Sequence, residues 1–452
     1  MHASNPKTSV GVQPPNPLLD LPTEIIQRIA YLLPTDSDIA HFSSCCKSLA
    51  EQTIPAESSI WRQRFDDIYD TPPDRSSSEL KVEYQIRAVV LAQTISFKQG
   101  EKESQTLWLT VLRDMILESF YLAERKTDGG AKTLRRIREA LRDSEFLNRP
   151  VSGHGLKEPE RPSELFCAVQ LSLTGVALDP DMSVQCLRTD YDIGSVYSYR
   201  SIYDLTGLFN IEPLDIQRLL RIRNFWLRHL LNPVEATFHA SYAKLAPEHR
   251  PAALTKKNST VLETQWLGYY SCIHPYPESR SALDKRQSCA DLDNHLTQVD
   301  CMSLILKPDN DSLNWPPVFQ ELIPLGDGVD RLYFRGIQRY HNSDDHEINF
   351  VRGFMEPSQT AEGGFTAWQR ICFVIYEADR EILPLLADDG SPSDGEVDWL
   401  PNETWPPVDL GLDFACIHGY EARLLPGGRI MMGQWVDMLD TTGRGPFIFW
   451  NI

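Results

Sequence analysis

The chain has 452 residues, with 44 Lys or Arg and 63 Asp or Glu, so its formal charge is −19. Hydrophobic residues make up 42% and charged residues 24%, which is typical of a folded soluble protein with room for about three domains. Broad binding of nucleic acid is not expected, because it requires a basic surface. No apolar run is long enough to span a membrane, and residues 1–17 lack the apolar core of a secretory signal.

Composition divides the chain into four zones. Residues 1–17 are polar and rich in proline, which predicts a disordered tail. Residues 18–69 have the pattern of a compact helical unit, residues 79–262 are mostly helical, and residues 263–452 contain short β-like runs. The nine cysteines are scattered without a CxxC pair, as in reduced proteins of the cytoplasm or the nucleus.

The first helical unit has more apolar side chains than its size can bury. Asp20 is predicted to cap the first helix, and Pro34 is predicted to end it. A second helix is predicted to start at residues 36–38 and to continue to Leu49, and a third segment runs to Trp61. Three short helices form a very small core, so the surplus predicts a face that packs against a partner's helices.

The middle zone is predicted to be mostly helical. Val82, Ile86 and Val89 fall on one face of a helix, with Val90 and Ile95 nearby. Further helices are predicted over residues 132–147, 164–174 and 214–231, the last with Pro213 in its first turn. The first of these is basic, and a solvated face is a better interpretation of its arginines than a phosphate site. These arginines are Arg135, Arg136, Arg138 and Arg142.

The last zone predicts an antiparallel β-barrel, with a β-sandwich as the alternative. Residues 425–429 read Leu-Pro-Gly-Gly-Arg, a hairpin signal, and residues 441–445 predict a second turn. Residues 377–413 hold 11 acidic residues and one Arg, which predicts a long acidic loop. Such a loop is usually only solvated, but it could attract basic segments of a protein substrate. Eight strands are predicted, over residues 265–271, 301–306, 332–337, 349–355, 366–376, 420–425, 429–435 and 446–450.

Candidate substrate-binding residues in this zone are arginines next to glycine or aromatic residues, together with tryptophans. An arginine fork can bind a carboxylate or a phosphate, and an aromatic ring can stack on it. The alternatives are that each arginine pairs with an acidic neighbour and that each tryptophan lies in the core. The candidates are Arg335, Arg370, Arg429, Trp266, Trp368 and Trp435.

The sequence gives little support for catalysis or for metal binding. It has no GxSxG, HExxH, P-loop or GxGxxG motif, so a non-catalytic protein without a cofactor is expected. Cys272 and His274 share a C-x-H spacing with Cys416 and His418, but a zinc site needs four convergent ligands. The repeated spacing is therefore interpreted as coincidence.

Residues 18–65 resemble the F-box. The matching positions are Leu21-Pro22-x-Glu24-Ile25, Ile29, Leu32, Leu33, Asp38-Ile39, Phe42-Ser43, Cys46-Lys47, Leu49, Trp61 and Arg64-Phe65. This resemblance implies docking to a Skp1-type adaptor through Leu21, Pro22, Ile25 and Ile26. Ile29, Leu32, Ile39 and Leu49 are further contact candidates, although some of them must build the core of the F-box itself.

The resemblance also implies a fold class and a function. Strings such as 266–271, 333–336, 363–371 and 426–430 look like the C-terminal region of fungal F-box proteins. The expected fold is an α+β multidomain protein with an N-terminal three-helix F-box, a helical middle domain and a C-terminal antiparallel β-barrel-like domain. The expected function is substrate recognition in an SCF-type (Skp1–cullin–F-box) ubiquitin ligase, in the cytoplasm or the nucleus. The alternative is an F-box protein whose barrel binds a small apolar ligand outside ubiquitylation.

Overall fold

The chain forms two compact units in a computed structural model. The first unit comprises Met1–Gln93 and Ala131–Arg136, and the second comprises Thr94–Gly130 and Ile137–Ile452. The structure describes residues 17–72, 74–93, 102–125, 131–144, 146–148, 162–182, 193–197, 215–234, 236–251, 262, 264–272, 301–309, 319, 328–341, 349–357, 361–365, 368–378, 414–438 and 443–452. The predicted disordered tail lies outside these residues, except for Pro17, and so does the acidic loop beyond Ala378.

The first unit is helical, and its described residues 17–70 hold four helices where the sequence predicts three segments. The predicted second helix is interrupted at Cys46, whose φ of −159° is extended. The helices are α1 (Thr23–Tyr31), α2 (Asp36–Ser44), α3 (Lys47–Thr53), α4 (Ser59–Ile68) and α5 (Ser77–Leu91), followed by the start of α7 (Ala131–Ser144).

The first helix starts and ends differently from the prediction. Pro22, not Asp20, occupies the N-cap position, and no side chain caps the helix. The Pro22 carbonyl accepts hydrogen bonds from the backbone N–H groups of Ile25 and Ile26. The helix ends at Tyr31, before Pro34 is reached.

The second helix has a capping box that the sequence analysis did not identify. The Thr35 hydroxyl accepts a hydrogen bond from the Asp38 backbone N–H at 3.1 Å, and the Asp38 carboxylate accepts one from the Thr35 N–H at 3.1 Å. This reciprocal pair satisfies two N–H groups that the helix itself cannot bond.

Replacing Thr35 with alanine is expected to destabilise the first unit by about 1 kcal/mol, because one of these N–H groups loses its acceptor. Urea unfolding of the full chain, followed by circular dichroism at 222 nm, measures the change. Thr23→Ala is the matched control, since Thr23 is exposed in α1 and caps nothing. Equal midpoints for the two variants would contradict the capping role.

The helix α5 packs through a different face from the predicted one. Leu80, Tyr84 and Val90 are buried, and the Tyr84 hydroxyl donates to the Asp36 carboxylate at 2.8 Å. Arg87 is also buried and pairs with Glu83 at 2.9 Å. Its guanidinium group lies over the rings of Phe65 in α4 and of Tyr69, which directly follows α4. Because both faces of α5 are apolar, spacing alone could not indicate which one is buried.

The second unit contains helices and a barrel in one compact body. The predicted apolar helix over 164–174 is divided at Leu173, and Pro213 lies outside the described residues. The helices are α6 (Lys102–Arg125), the rest of α7, α8 (Glu164–Ser172), α9 (Thr174–Ala177), α10 (Ile193–Tyr197), α11 (Ile216–Leu231) and α12 (Ala236–Lys244). Short 3₁₀ turns lie at Phe146–Asn148, Pro180–Met182 and Pro247–His249.

The eight predicted strands all form, and they close into an antiparallel barrel rather than a sandwich. Each strand pairs with the next along the chain, and β1 pairs with β8 to close the sheet. The strands are β1 (Gln265–Tyr270), β2 (Met302–Pro308), β3 (Leu332–Tyr340), β4 (Asn349–Pro357), β5 (Gln369–Ala378), β6 (Phe414–Leu424), β7 (Ile430–Asp437) and β8 (Arg444–Asn451).

The barrel interior is filled by aromatic rings. Phe373 of β5 stacks on Tyr420 of β6 with ring centroids 4.6 Å apart, and it also meets Phe447 of β8 at 6.0 Å. Glycines on the inner face make room for these rings. A Cβ at Gly353 would lie 2.5 Å from Phe334 and from Phe373. An eight-stranded barrel is narrow enough for side chains to fill it in this way.

The predicted hairpin joins β6 to β7. Gly427 and Gly428 have φ values of 100° and 70°, which an L side chain rarely adopts. The Leu425 N–H donates to the Ile430 carbonyl at 2.8 Å and closes the turn. No helix in the described part of the chain is both long and apolar enough to cross a membrane.

Candidate functional site

The first unit carries a row of apolar side chains on the outer side of α1. Leu21, Ile25 and Leu32 are exposed to 36%, 47% and 65%, while Ile26 and Ala30 on the opposite side are fully buried. Exposed and buried positions therefore alternate with the helical period. Isolated apolar residues on a surface are ordinary, but a continuous row along one helix is a feature of docking surfaces.

The eight predicted adaptor contacts fall into two groups. Leu21, Pro22, Ile25, Ile29 and Leu32 lie on this outer row, with Ile29 half-buried and the others exposed. The other three are buried in the core of the first unit. For Ile39 and Leu49 this agrees with the core alternative, whereas Ile26, predicted as a contact, has no exposed surface.

A second exposed apolar row lies on α5. Val82, Ile86 and Val89 are exposed to 55%, 41% and 62%, at positions i, i+4 and i+7. These residues share one helix face, as their spacing predicts, and the structure exposes that face. Ile54, at the end of α3, is also exposed.

Arg335 does not lie on an open surface. Its side chain points outwards from β3 but is buried, and its Nε lies 3.6 Å from the Asp309 carboxylate. The same carboxylate accepts a hydrogen bond at 3.0 Å from Arg352, the cross-strand neighbour of Arg335 on β4. Two guanidinium groups therefore share one carboxylate, as the ion-pair alternative predicts.

Arg370 is enclosed between two carboxylates. Its Nη1 donates to Glu356 at 3.0 Å, and its Nε donates to Glu421 at 3.0 Å. Arg331 extends this chain by donating to Glu356 at 2.8 Å. Burial raises the pKa of Glu421, although the neighbouring Arg370 acts to lower it. The fork of Arg370 is thus already engaged on the outer face of β4, β5 and β6.

The remaining candidates do not converge on one surface either. Arg429 is half-buried beside the β6–β7 hairpin, where its carbonyl accepts from the Asn451 N–H. Trp266 and Trp435 belong to the barrel core, and Trp368 is buried with its Nε1 donating to the Glu362 carbonyl at 3.2 Å. Five of the six predicted substrate-binding residues are thus core or ion-pair residues, as the stated alternatives expect, and the role of Arg429 stays a prediction.

Two structural contacts involve the basic helix α7. Arg138 donates to the Asp179 carboxylate at 2.6 Å. In the first unit, the Asp70 carboxylate accepts from the backbone N–H groups of Lys132 and Thr133 and so caps the start of this helix. Both contacts favour a structural role for the helix over a phosphate site.

No group of three or more His, Cys, Asp or Glu side chains suited to a metal ion occurs among the residues that the structure describes. Cys272 and Cys416 both lie at one end of the barrel, and burial raises the pKa of both thiols, that of Cys272 to about 12. Neutral thiols are poor nucleophiles and poor metal ligands at neutral pH. His274 lies outside the described residues.

The chain matches no known protein family, no curated protein and no solved structure.

Proposed function

We propose that this protein is the substrate-recognition subunit of an SCF-type ubiquitin ligase. In this proposal the first unit is an F-box that docks on a Skp1-type adaptor, and the adaptor links it to a cullin–RING ligase. The observation that carries the proposal is the exposed row of Leu21, Ile25 and Leu32 along α1 and its two ends, because it coincides with the residues that give the F-box resemblance. An amphipathic helix with such a row binds into an apolar groove between a partner's helices.

The barrel is the receptor for the target protein in this proposal. A closed sheet is rigid and has no free strand edges, so its connecting segments can present a binding surface. The alternative in which the barrel binds a small apolar ligand gains no support, because Phe373, Tyr420 and Phe447 fill its central cross-section. Neither role requires catalysis or a cofactor in this chain.

Two substitutions on the outer row are expected to abolish adaptor binding. In Ile25→Asp/Leu32→Asp, two carboxylates replace exposed apolar side chains, so the free protein folds normally. Docking would bury these charges without partners, and we expect the Kd for a purified Skp1-type adaptor to rise at least about 100-fold. Isothermal titration calorimetry measures the Kd. Leu21→Asp/Pro22→Ala is expected to act in the same direction.

Val82→Asp/Val89→Asp is the matched control, because it places the same two charges on comparably exposed aliphatic residues outside the F-box motif. It is expected to leave adaptor binding unchanged. If the Ile25→Asp/Leu32→Asp variant binds the adaptor as the wild type does, the proposed docking surface is wrong. If the control loses as much affinity as this variant, the docking surface is not confined to α1 and its ends. Affinity purification from cells with the proteasome inhibited tests the ligase role, since both the adaptor and ubiquitylated targets should be recovered.

A further inference from the structure

The helix α5 is anchored to its own unit along one side only. Leu80, Tyr84 and Leu91 are buried on that side, and the Tyr84 hydroxyl donates to the Asp36 carboxylate of α2 at 2.8 Å. The other side is exposed from the first turn of the helix to the residues that follow its last turn. A helix of 15 residues is about 22 Å long, so this side is an extended and firmly held surface.

The centre of this exposed side consists of three β-branched residues, Val82, Ile86 and Val89, which we call the α5 row. Their spacing of four and then three residues is the spacing of the apolar positions along a coiled-coil seam. β-Branched side chains have few rotamers to lose, so packing another helix against this row costs little conformational entropy. The α5 row is therefore suited to a second helix that runs along it.

The exposed positions have the same pattern in both directions along the helix. Reversal about the midpoint between Gln85 and Ile86 exchanges Val82 with Val89, and it exchanges the two exposed residues at one end with the two at the other. A two-fold contact between identical chains requires a self-complementary surface of this kind, whereas a contact with a different protein does not. The exposed positions are Ser78, Glu79, Val82, Gln85, Ile86, Val89, Ala92 and Gln93.

The charges of α5 favour an antiparallel pair of helices. Glu79 is the one charged residue among the exposed positions, although the whole chain has a formal charge of −19. The half-buried Lys81 and Glu83 also lie in the N-terminal half of α5. In a parallel pair each of these three residues would face its own copy, and like charges held together oppose association. In an antiparallel pair they face exposed positions without charge.

We propose that a second copy of this chain packs along the α5 row, with the two α5 helices antiparallel about a two-fold axis beside Ile86. Val82 of each copy then lies opposite Val89 of the other copy. One pair of helices is small for a protein interface, so the dimer is weak, with a Kd of about 10–100 μM. The inference goes beyond the proposed function, because the contact requires neither an adaptor nor the barrel.

Sedimentation velocity of the purified full-length chain, without an adaptor, tests the proposal. Between about 1 and 200 μM, we expect the mean sedimentation coefficient to rise from that of a monomer to that of a dimer, by mass action. A monomer over the whole range overturns the proposal. Continued growth beyond a dimer overturns it as well, because a two-fold contact is complete with two copies.

Ile86→Asp tests whether the α5 row forms the contact. This variant brings two carboxylates together beside the axis, so we expect it to be monomeric over the same concentration range. Val234→Asp is the matched control, because it places one charge on an exposed aliphatic residue outside α5, and we expect it to dimerise as the wild type does. Circular dichroism at 222 nm checks that both variants are folded. A dimer that survives Ile86→Asp, or that is lost equally in Val234→Asp, contradicts the proposal.

Two further variants test the antiparallel orientation. Val82→Lys/Val89→Glu brings opposite charges together at both ends of an antiparallel pair, but like charges together in a parallel pair. Val82→Glu/Val89→Glu brings like charges together in either orientation. We therefore expect the Kd of the first variant to be at least about tenfold lower than that of the second, with a smaller difference at high salt. Equal Kd values, or weaker association of the first variant, would show that the antiparallel contact is wrong.

Discussion

Replacing Arg370 with leucine should destabilise the second unit by about 3–5 kcal/mol at neutral pH. The Arg370 side chain is only 11% exposed, and it donates to Glu356 and Glu421 at 3.0 Å each. Without it, Glu421 stays buried on the outer face of β6 as an under-compensated carboxylate. Removing one partner of a buried ion pair costs this much because the remaining charge keeps its desolvation penalty. Urea unfolding of the full chain measures the loss.

The loss should depend on pH in a defined direction. Burial already raises the pKa of Glu421 above its ordinary value of 4.5, so the folded state binds a proton more tightly than the unfolded state does. The contribution of Glu421 to stability therefore falls as pH rises from its pKa in the unfolded state to its higher pKa in the folded state. Since Arg370 acts to lower the pKa of Glu421, removing Arg370 raises that pKa further. The pH range over which stability is lost therefore moves upwards. The deficit of Arg370→Leu should consequently shrink as pH falls from 7 towards about 5.

Two companion variants test the same explanation. Arg370→Lys keeps the charge, but a single ammonium group cannot reproduce the fork between two carboxylates, so an intermediate loss is expected. Arg370→Leu/Glu421→Leu removes both charges and should recover most of the stability, while Glu356 keeps Arg331 at 2.8 Å. A deficit that is equal at pH 5 and pH 7 would show that packing, not charge, dominates at this position.

The ion pairs around Arg370 show what the sequence could not predict. Arg370 lies 51 residues from Glu421, and only the register of β5 and β6 brings them together. The strands themselves were predictable, because alternating large side chains and glycine turns report on local geometry. The roles of Arg335, Arg370 and the tryptophans could not be predicted. An arginine next to a glycine has the same sequence pattern whether it lies in a binding pocket or in a buried ion pair.

The helical regions show a similar limit. The apolar spacing of Ile39, Phe42, Cys46 and Leu49 predicts one continuous helix, but the backbone is extended at Cys46, where no glycine or proline marks a break. On α1, by contrast, the surplus of apolar side chains was a useful signal. The structure exposes Leu21, Ile25 and Leu32, although the pattern alone could not separate them from Ile26 in the core.

Gly353→Val should destabilise the barrel by at least about 3 kcal/mol, because the inner face of β4 has no room for a side chain. A Cβ at this position would lie 2.5 Å from Phe334, 2.5 Å from Phe373 and 2.6 Å from the Cys372 carbonyl. The last of these neighbours is backbone of the paired strand β5, so relief requires the strands to separate. Overpacking of a core typically costs 1–3 kcal/mol, and a clash with the backbone adds to this.

Gly328→Ala is the control for this substitution. Gly328 has a φ of 74° but no atom within 4 Å of an added Cβ, so only its backbone conformation opposes a side chain. We expect Gly328→Ala to lower the free energy of unfolding by about 1 kcal/mol. Thermal unfolding monitored by near-ultraviolet circular dichroism reports the packing of the aromatic rings in both variants. If Gly353→Val retained the wild-type aromatic signal and Tm, the inner face of β4 could not be packed against Phe334 and Phe373, and the inner and outer faces of the barrel would have to be reassigned.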